Sequence, residues 1–174
     1  MTKRKIILVP DEILKKKSEK IEKITNTEKQ LADDLFETMY KNNGIGLAAV
    51  QVGVLRRMIV IDVSKKDEEK KPLCLINPVI KSFGKDRSTY EEGCLSIPET
   101  FIEIERPKTC IVEYIDISGN KTNMECDGLL STCIQHEINH LDGKLIIDFL
   151  SKLKKDILIK KLSKNINPSS RVIV

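Results

Sequence analysis

The chain has no tryptophan and only seven aromatic residues among 174, so it offers no surface on which nucleic-acid bases could stack. Its net charge is +4, with positive and negative residues interspersed, which argues against a dedicated nucleic-acid protein. Five cysteines, an odd number without framework spacing, fit a reducing compartment better than a disulfide scaffold. Long apolar runs are missing as well. Ile6-Ile7-Leu8-Val9 stops at Pro10, too short for a signal sequence or a membrane span, and the expectation is a soluble cytoplasmic protein with no membrane partner. Gly44-Ile45-Gly46 lacks the third glycine of a dinucleotide fingerprint and the lysine of a phosphate-binding loop. What remains, at 40% hydrophobic residues, is enough for one core, and the whole chain 1–174 reads as a single domain.

Of the residue types present histidine is the scarcest, and both copies fall in one stretch, Gln135-His136-Glu137-Ile138-Asn139-His140-Leu141-Asp142-Gly143. On a helix, four residues advance ~6 Å and turn ~40° past a full circle, so both imidazoles face one ion. Glu137 lies ~80° to one side, within reach of a water on the metal rather than the metal itself. This is the His-Glu-x-x-His pattern of metal-assisted hydrolysis; the plain alternative is two surface histidines on an ordinary helix.

The elements around it are predicted as follows. A short surface helix runs from Ile13 to Lys20. A firmer one is opened by a capping box of Thr27 with Gln30, carries Leu31, Leu35, Phe36, Met39 and Tyr40 on one face, and stops at Asn42-Asn43-Gly44. Gly44 to Gln51 is a tight turn into a buried segment, where the lone amide of Gln51 needs a partner. Strands are expected at 57–63, 73–76, 79–83, 102–104 and 109–115, then from the Ser118-Gly119-Asn120 turn to Cys126, with a charged loop at 64–71. Asp127 is placed to cap the histidine helix and Gly143 to close it. Ser151 to Ile166 forms a last helix, with Leu153, Ile157, Leu158, Leu162 and Ile166 as its apolar stripe and Lys152, Lys154, Lys155, Lys160, Lys161 and Lys164 opposite. Helices that flank strands without regular alternation give an α+β fold: antiparallel or mixed sheets around the central histidine helix, with a C-terminal helix at about 151–166.

Two histidines leave a tetrahedral ion one protein ligand short if a position stays open for water. The third is a downstream carboxylate or a cysteine. Cys133 shares the histidine face, but residues 133 to 140 span ~10 Å of helix, too far for one ion. Cys74 and Cys110 sit inside apolar runs. Cys94 lies in the polar bend Glu91-Glu92-Gly93-Cys94-Leu95-Ser96, where a thiolate can be presented, yet no spacing rule selects it.

Three ordered stretches, 44–51 (Gly-Ile-Gly-Leu-Ala-Ala-Val-Gln), 92–96 (Glu-Gly-Cys-Leu-Ser) and 135–141 (Gln-His-Glu-Ile-Asn-His-Leu), closely resemble the signatures of bacterial peptide deformylase, and the resemblance spans nearly the whole chain. It implies an enzyme that hydrolyses the formyl group from N-formylmethionyl nascent peptides. By it, Cys94, His136 and His140 hold one divalent ion, iron(II) in the cell with zinc, nickel or cobalt as substitutes. Glu137 is the general acid and base, and Gln51 and the Leu95 N–H hold the formyl oxygen. The backbone of Ile45 and Gly46 pairs with the peptide; Ile45, Glu92, Leu129, Cys133 and His136 line the methionine pocket. The basic C-terminal helix docks on the ribosome. Two positions depart from the pattern: Asn139 stands where the family usually has aspartate, and Phe101 where some relatives carry arginine. The rival enzyme reading is a zincin-type peptidase with Asp142 or Asp148 as third ligand, and a further alternative is a metal-stabilised module without catalysis.

Overall fold

The computed structural model describes residues 4–65 and 67–166, and the side chains of 165 and 166 are not described. The ends of the expected 1–174 domain, Lys66 of the charged loop and the Ile166 side chain therefore lie outside the described residues. Among the described residues, seven strands and three α-helices follow one another: α1 (Asn26–Lys41), β1 (Gly46–Ala48), β2 (Met58–Ile61), β3 (Leu73–Phe83), β4 (Arg87–Cys94), β5 (Ile97–Pro107), β6 (Thr109–Ile115), β7 (Lys121–Asp127), α2 (Gly128–Leu141) and α3 (Lys152–Ile166). One sheet has the order β1-β2-β3-β6-β7 and the other is the hairpin β4-β5; every strand pairing in both is antiparallel. The fold is α+β.

Every residue of β2 is buried, because helices cover both faces of the sheet there. Met58 and Val60 point to the cluster holding Leu31, Leu35 and Met39 of α1; Ile59 and Ile61 point to Ile134, Ile138 and Leu141 of α2. The period-two alternation of a strand thus serves two helices at once. A third cluster joins the hairpin (Ile97, Ile104) to Val9, Leu14, Leu145, Ile146, Ile147 and Leu162 of α3. Among the described residues, no helix is long and apolar enough to cross a membrane.

Several sequence expectations change. The helix expected at Ile13–Lys20 is a single 3-10 turn, Glu12–Lys15, capped by Asp11, and its Leu14 is fully buried rather than on the surface. α1 starts two residues earlier than its predicted capping box: the Thr25 hydroxyl accepts from the Thr27 N–H, and the Glu28 carboxylate accepts from the Thr25 N–H at 2.9 Å. Glutamate closes the box with a charge-assisted bond that Gln30 cannot offer. The pieces at 73–76 and 79–83 are one strand, bulged where Asn77 takes φ 51° and bonds both backbone groups of Ile21. The strand expected at 102–104 is the middle of β5, and β4 was not foreseen. Their inward face carries Glu92 and Arg106, both buried, so hydrophobic alternation is broken where it should signal a strand. Asp127 occupies the N-cap of α2 without a side-chain cap bond, whereas Gly143 closes the helix as expected at φ 73°. In α3, Leu158, Ile159 and Leu162 pack on the third cluster, while Leu153 and Ile157 stay exposed.

Candidate metal centre and active site

α2 is buried along most of its length, which removes the reading of surface histidines: His136, Glu137 and His140 all lie inside. The two imidazoles meet edge to face with centroids 5.0 Å apart. Cys94, the last residue of β4, closes on them, its Sγ 3.2 Å from His140 Nε2. One ligand atom from each of Cys94, His136 and His140 falls within 4.8 Å of the others, the one such cluster among the described residues. Sequence spacing left the third ligand open, and the fold fills the place with cysteine. The carboxylates of the rival reading are engaged elsewhere: Asp142 pairs with Arg57 at 2.7 Å, and Asp148 accepts from the Leu145 N–H and pairs with Lys155. Cys133 stays out of the cluster, with its thiol turned to the Ile45 carbonyl.

A buried chain of polar groups holds α2 to the hairpin. His136 Nδ1 lies 2.9 Å from Glu92 Oε2, and with the proton on Nδ1 the Nε2 lone pair faces the cluster. Arg106 donates to both Glu92 oxygens, at 2.5 and 3.0 Å, and to Asn139 Oδ1 at 2.8 Å. The Glu92 carboxylate is therefore committed to His136 and Arg106, although its residue also borders the cavity described below.

On the other wall, Gln51 Oε1 accepts from the Ala48 N–H at 2.9 Å, and its Nε2 donates to Ser96 Oγ at 3.1 Å and faces Cys94 Sγ at 3.6 Å. Ser96, fully buried, had been given no role; its place inside the Glu92–Ser96 stretch was the available signal. Gly46 is required here, because a Cβ would collide with Glu137 Oε1 and sit 2.8 Å from Cys133 Sγ. These groups border a cavity of about 660 Å³ that also takes in Ile45, Leu95, Phe101 and Leu129. His140 joins the cluster without lining the cavity itself.

Burial pushes the Glu137 carboxyl up to about 7, and its Oε2 has no hydrogen-bond partner among the described residues. A carboxyl so poised takes and returns protons near neutrality. Burial holds the His140 imidazole well below its usual range, keeping it neutral as a ligand must be. Burial also disfavours charge on His136, yet Cys94 and Glu92 outweigh it and raise that imidazole to about 10, so the spot attracts a cation. One soft thiolate and two imidazoles make a donor set that fits a divalent transition metal.

Residues 3–156 match the family described as polypeptide deformylase. A peptide deformylase of Pelagibacter ubique is 51% identical over 174 residues, all of both chains, and one of Agrobacterium fabrum is 52% identical over 94% of this chain and 96% of its own. The crystal structure of peptide deformylase from Ehrlichia chaffeensis in complex with actinonin superposes with a TM-score of 0.91 at 42% identity, covering 96% of this chain and 99% of that one. With the sequence matching along its whole length and the fold over nearly all of it, the chain belongs to the polypeptide deformylase family.

Proposed function

We propose that the protein, as one catalytic domain, removes the formyl group from the N-terminal formylmethionine of new polypeptides in the cytoplasm and releases formate. The observation that carries this is the meeting of Cys94, His136 and His140 in one cluster at the wall of the cavity that Glu137 and Gln51 line. Cys94 Sγ, His136 Nε2 and His140 Nε2 would hold a single divalent ion, iron(II) in the cell, with zinc, nickel or cobalt able to replace it. Such an ion, when bound, polarises a carbonyl and lowers the pKa of water from ~15.7 to near 7.

The rest is done by the chain. The methionine side chain enters between Leu129, Cys133 and His136, and the peptide backbone lies along the open edge of β1 at Ile45 and Gly46. Glu137 takes a proton from the attacking water. The formyl oxygen, as it gains charge, accepts from Gln51 Nε2 and the Leu95 N–H. Ala48 and Ser96 fix the Gln51 amide before substrate arrives, so no reorganisation is needed in the transition state. Glu137 then returns the proton to the leaving amine. The lysine face of α3 is the proposed contact with the ribosome, with the exposed Leu153 and Ile157 beside it.

The decisive experiment is formate release from formyl-Met-Ala-Ser by protein loaded anaerobically with iron(II) or zinc. Release by at least one form is expected, and silence in both would overturn the reading. Cys94→Ser should lose the ion as well as the activity; a Cys94→Ser protein that retained both would return the case to a carboxylate-ligated peptidase.

A further inference from the structure

The two groups assigned to the formyl oxygen come from separate parts of the fold. Gln51 lies in the 3-10 turn Ala49–Val52 that follows β1, and Leu95 in the turn between β4 and β5. β1 and the hairpin belong to different sheets, so no strand ladder sets the gap between the two turns. The Gln51 side chain is aimed by the Ala48 N–H and the Ser96 hydroxyl. The Leu95 donor is main chain and has no rotamer to adjust, so whatever holds the backbone of its turn aims it.

The N-terminal segment crosses that gap. Ile7 N–H donates to the Gln51 carbonyl at 2.8 Å, and two residues later Val9 N–H donates to the Ser96 carbonyl at 3.0 Å. Both acceptor residues are buried. Side chains alternate along the segment: Ile6 and Leu8 line the cavity, while Ile7 and Val9 pack into the third cluster with Ile97 and Ile104 of the hairpin. Farther out, Arg4 ties the segment to α1, its backbone N–H donating to Thr38 Oγ1 and its Nε to Asp34 Oδ2, each at 3.0 Å.

We propose that Ile7 and Val9 are positioning residues for the reaction: their N–H groups hold the Gln51 and Leu95 turns at a fixed separation and so set the spacing of the two donors on the formyl oxygen. The proposal rests on the deformylase reading above and extends it to a stretch outside the three signatures. Two residues of chain span at most ~7 Å, which limits how far the turns can part. Donors stabilise an oxyanion at about 2.7 to 3.1 Å, and a misplacement of ~1 Å can cost ~100-fold in rate. The methionine pocket is built from Leu129, Cys133 and His136, which the segment does not hold, so the effect belongs to kcat rather than KM.

The test exchanges one N–H at a time for an ester oxygen, by translating the full-length chain with the α-hydroxy acid analogue of isoleucine at position 7 or of valine at position 9. The same exchange at Gly84, whose N–H donates to the Thr109 carbonyl at 2.9 Å and which does not line the cavity, controls for lost stability. On formyl-Met-Ala-Ser the esters at 7 and 9 should each lower kcat by ~10-fold, with KM within about two-fold and metal content unchanged. The ester at 84 should lower Tm by a similar amount and leave kcat alone. A kcat within about two-fold of the unaltered protein in either ester, a loss carried by KM, or an equal loss at 84 overturns the proposal. If an ester at 7 or 9 prevents folding, Arg4→Gln takes its place, because it loosens the same segment and leaves residues 7 and 9 intact. Its kcat should fall by about three-fold, and an unchanged kcat overturns the proposal equally. An unaltered protein that releases no formate marks the failure of the deformylase reading, not of the strut.

Discussion

Asn139 gives its amide oxygen to Arg106 at 2.8 Å, and the same guanidinium holds both oxygens of Glu92, which in turn holds His136. An aspartate at 139 would keep an acceptor oxygen in that place and add a charge to a guanidinium already balanced by Glu92. Asn139→Asp is therefore expected to change kcat/KM by less than ~10-fold, the low end of what partners of metal ligands usually contribute. A larger gain, measured on formyl-Met-Ala-Ser, would mean that the amide impairs the site. Glu137→Gln separates chemistry from metal binding. It should lower kcat by ~10² to 10⁴ with metal content unchanged by elemental analysis, because no ligand atom is altered; activity within a few-fold would remove Glu137 from proton transfer. At this scale the sequence was readable where chemistry repeats with helical spacing, at His136, Glu137 and His140. Cys94, Ser96 and Arg106 come from the β4-β5 hairpin and its turn, whose distance from α2 along the chain carries no spacing rule, so only resemblance or the fold brings them together.

The elements show the same division. α1, β6 and α2 follow from periodicity and turn residues, and they lie close to where the sequence placed them. The hairpin escaped because its buried face is ionic: Glu92 and Arg106 occupy positions where a strand ordinarily shows apolar side chains. α3 escaped in part for the opposite reason. Its apolar residues are expected as one stripe, but by helical count Leu153 and Ile157 lie on the side opposite Leu162, and Leu158, Ile159 and Leu162 are seated while those two are not. Deleting α3 would therefore uncover core as well as remove charge. Replacing Lys152, Lys154, Lys160, Lys161 and Lys164 by glutamine tests the charge alone. Ribosome pelleting should fall and its salt dependence flatten while free-peptide hydrolysis persists. Equal pelleting by the variant and the parent would remove α3 from the docking surface.

For the molecule as a whole, the proposed ion joins two parts that share no sheet. The histidines belong to α2, packed on the five-stranded sheet, and the cysteine to the separate hairpin. Binding to the folded state at a thousand times Kd is worth about 4 kcal/mol. For a chain of this size, that corresponds to a shift in Tm of roughly 10 °C. Chelation should lower Tm on this scale, and the amides of β4 and β5 should gain hydrogen exchange more than those of β2, which two helices cover. Uniform loss of protection across both sheets would show that the ion does not fasten the hairpin in particular.

β1 is three residues long, lies at the end of its sheet, and leaves its outer side facing the cavity. Unpaired strand edges invite other chains to extend the sheet, and long flat ones lead to aggregation. Here the row of free backbone groups is too short to hold a foreign strand by ladder bonds alone, and Asn42-Asn43-Gly44 before it and the Ala49–Val52 turn after it stop the ladder from growing. On the proposed reading, a passing chain is retained only if its first side chain also fills the pocket. So short an edge offers little template to a second copy of the chain, which lowers the tendency to self-association that longer open edges carry.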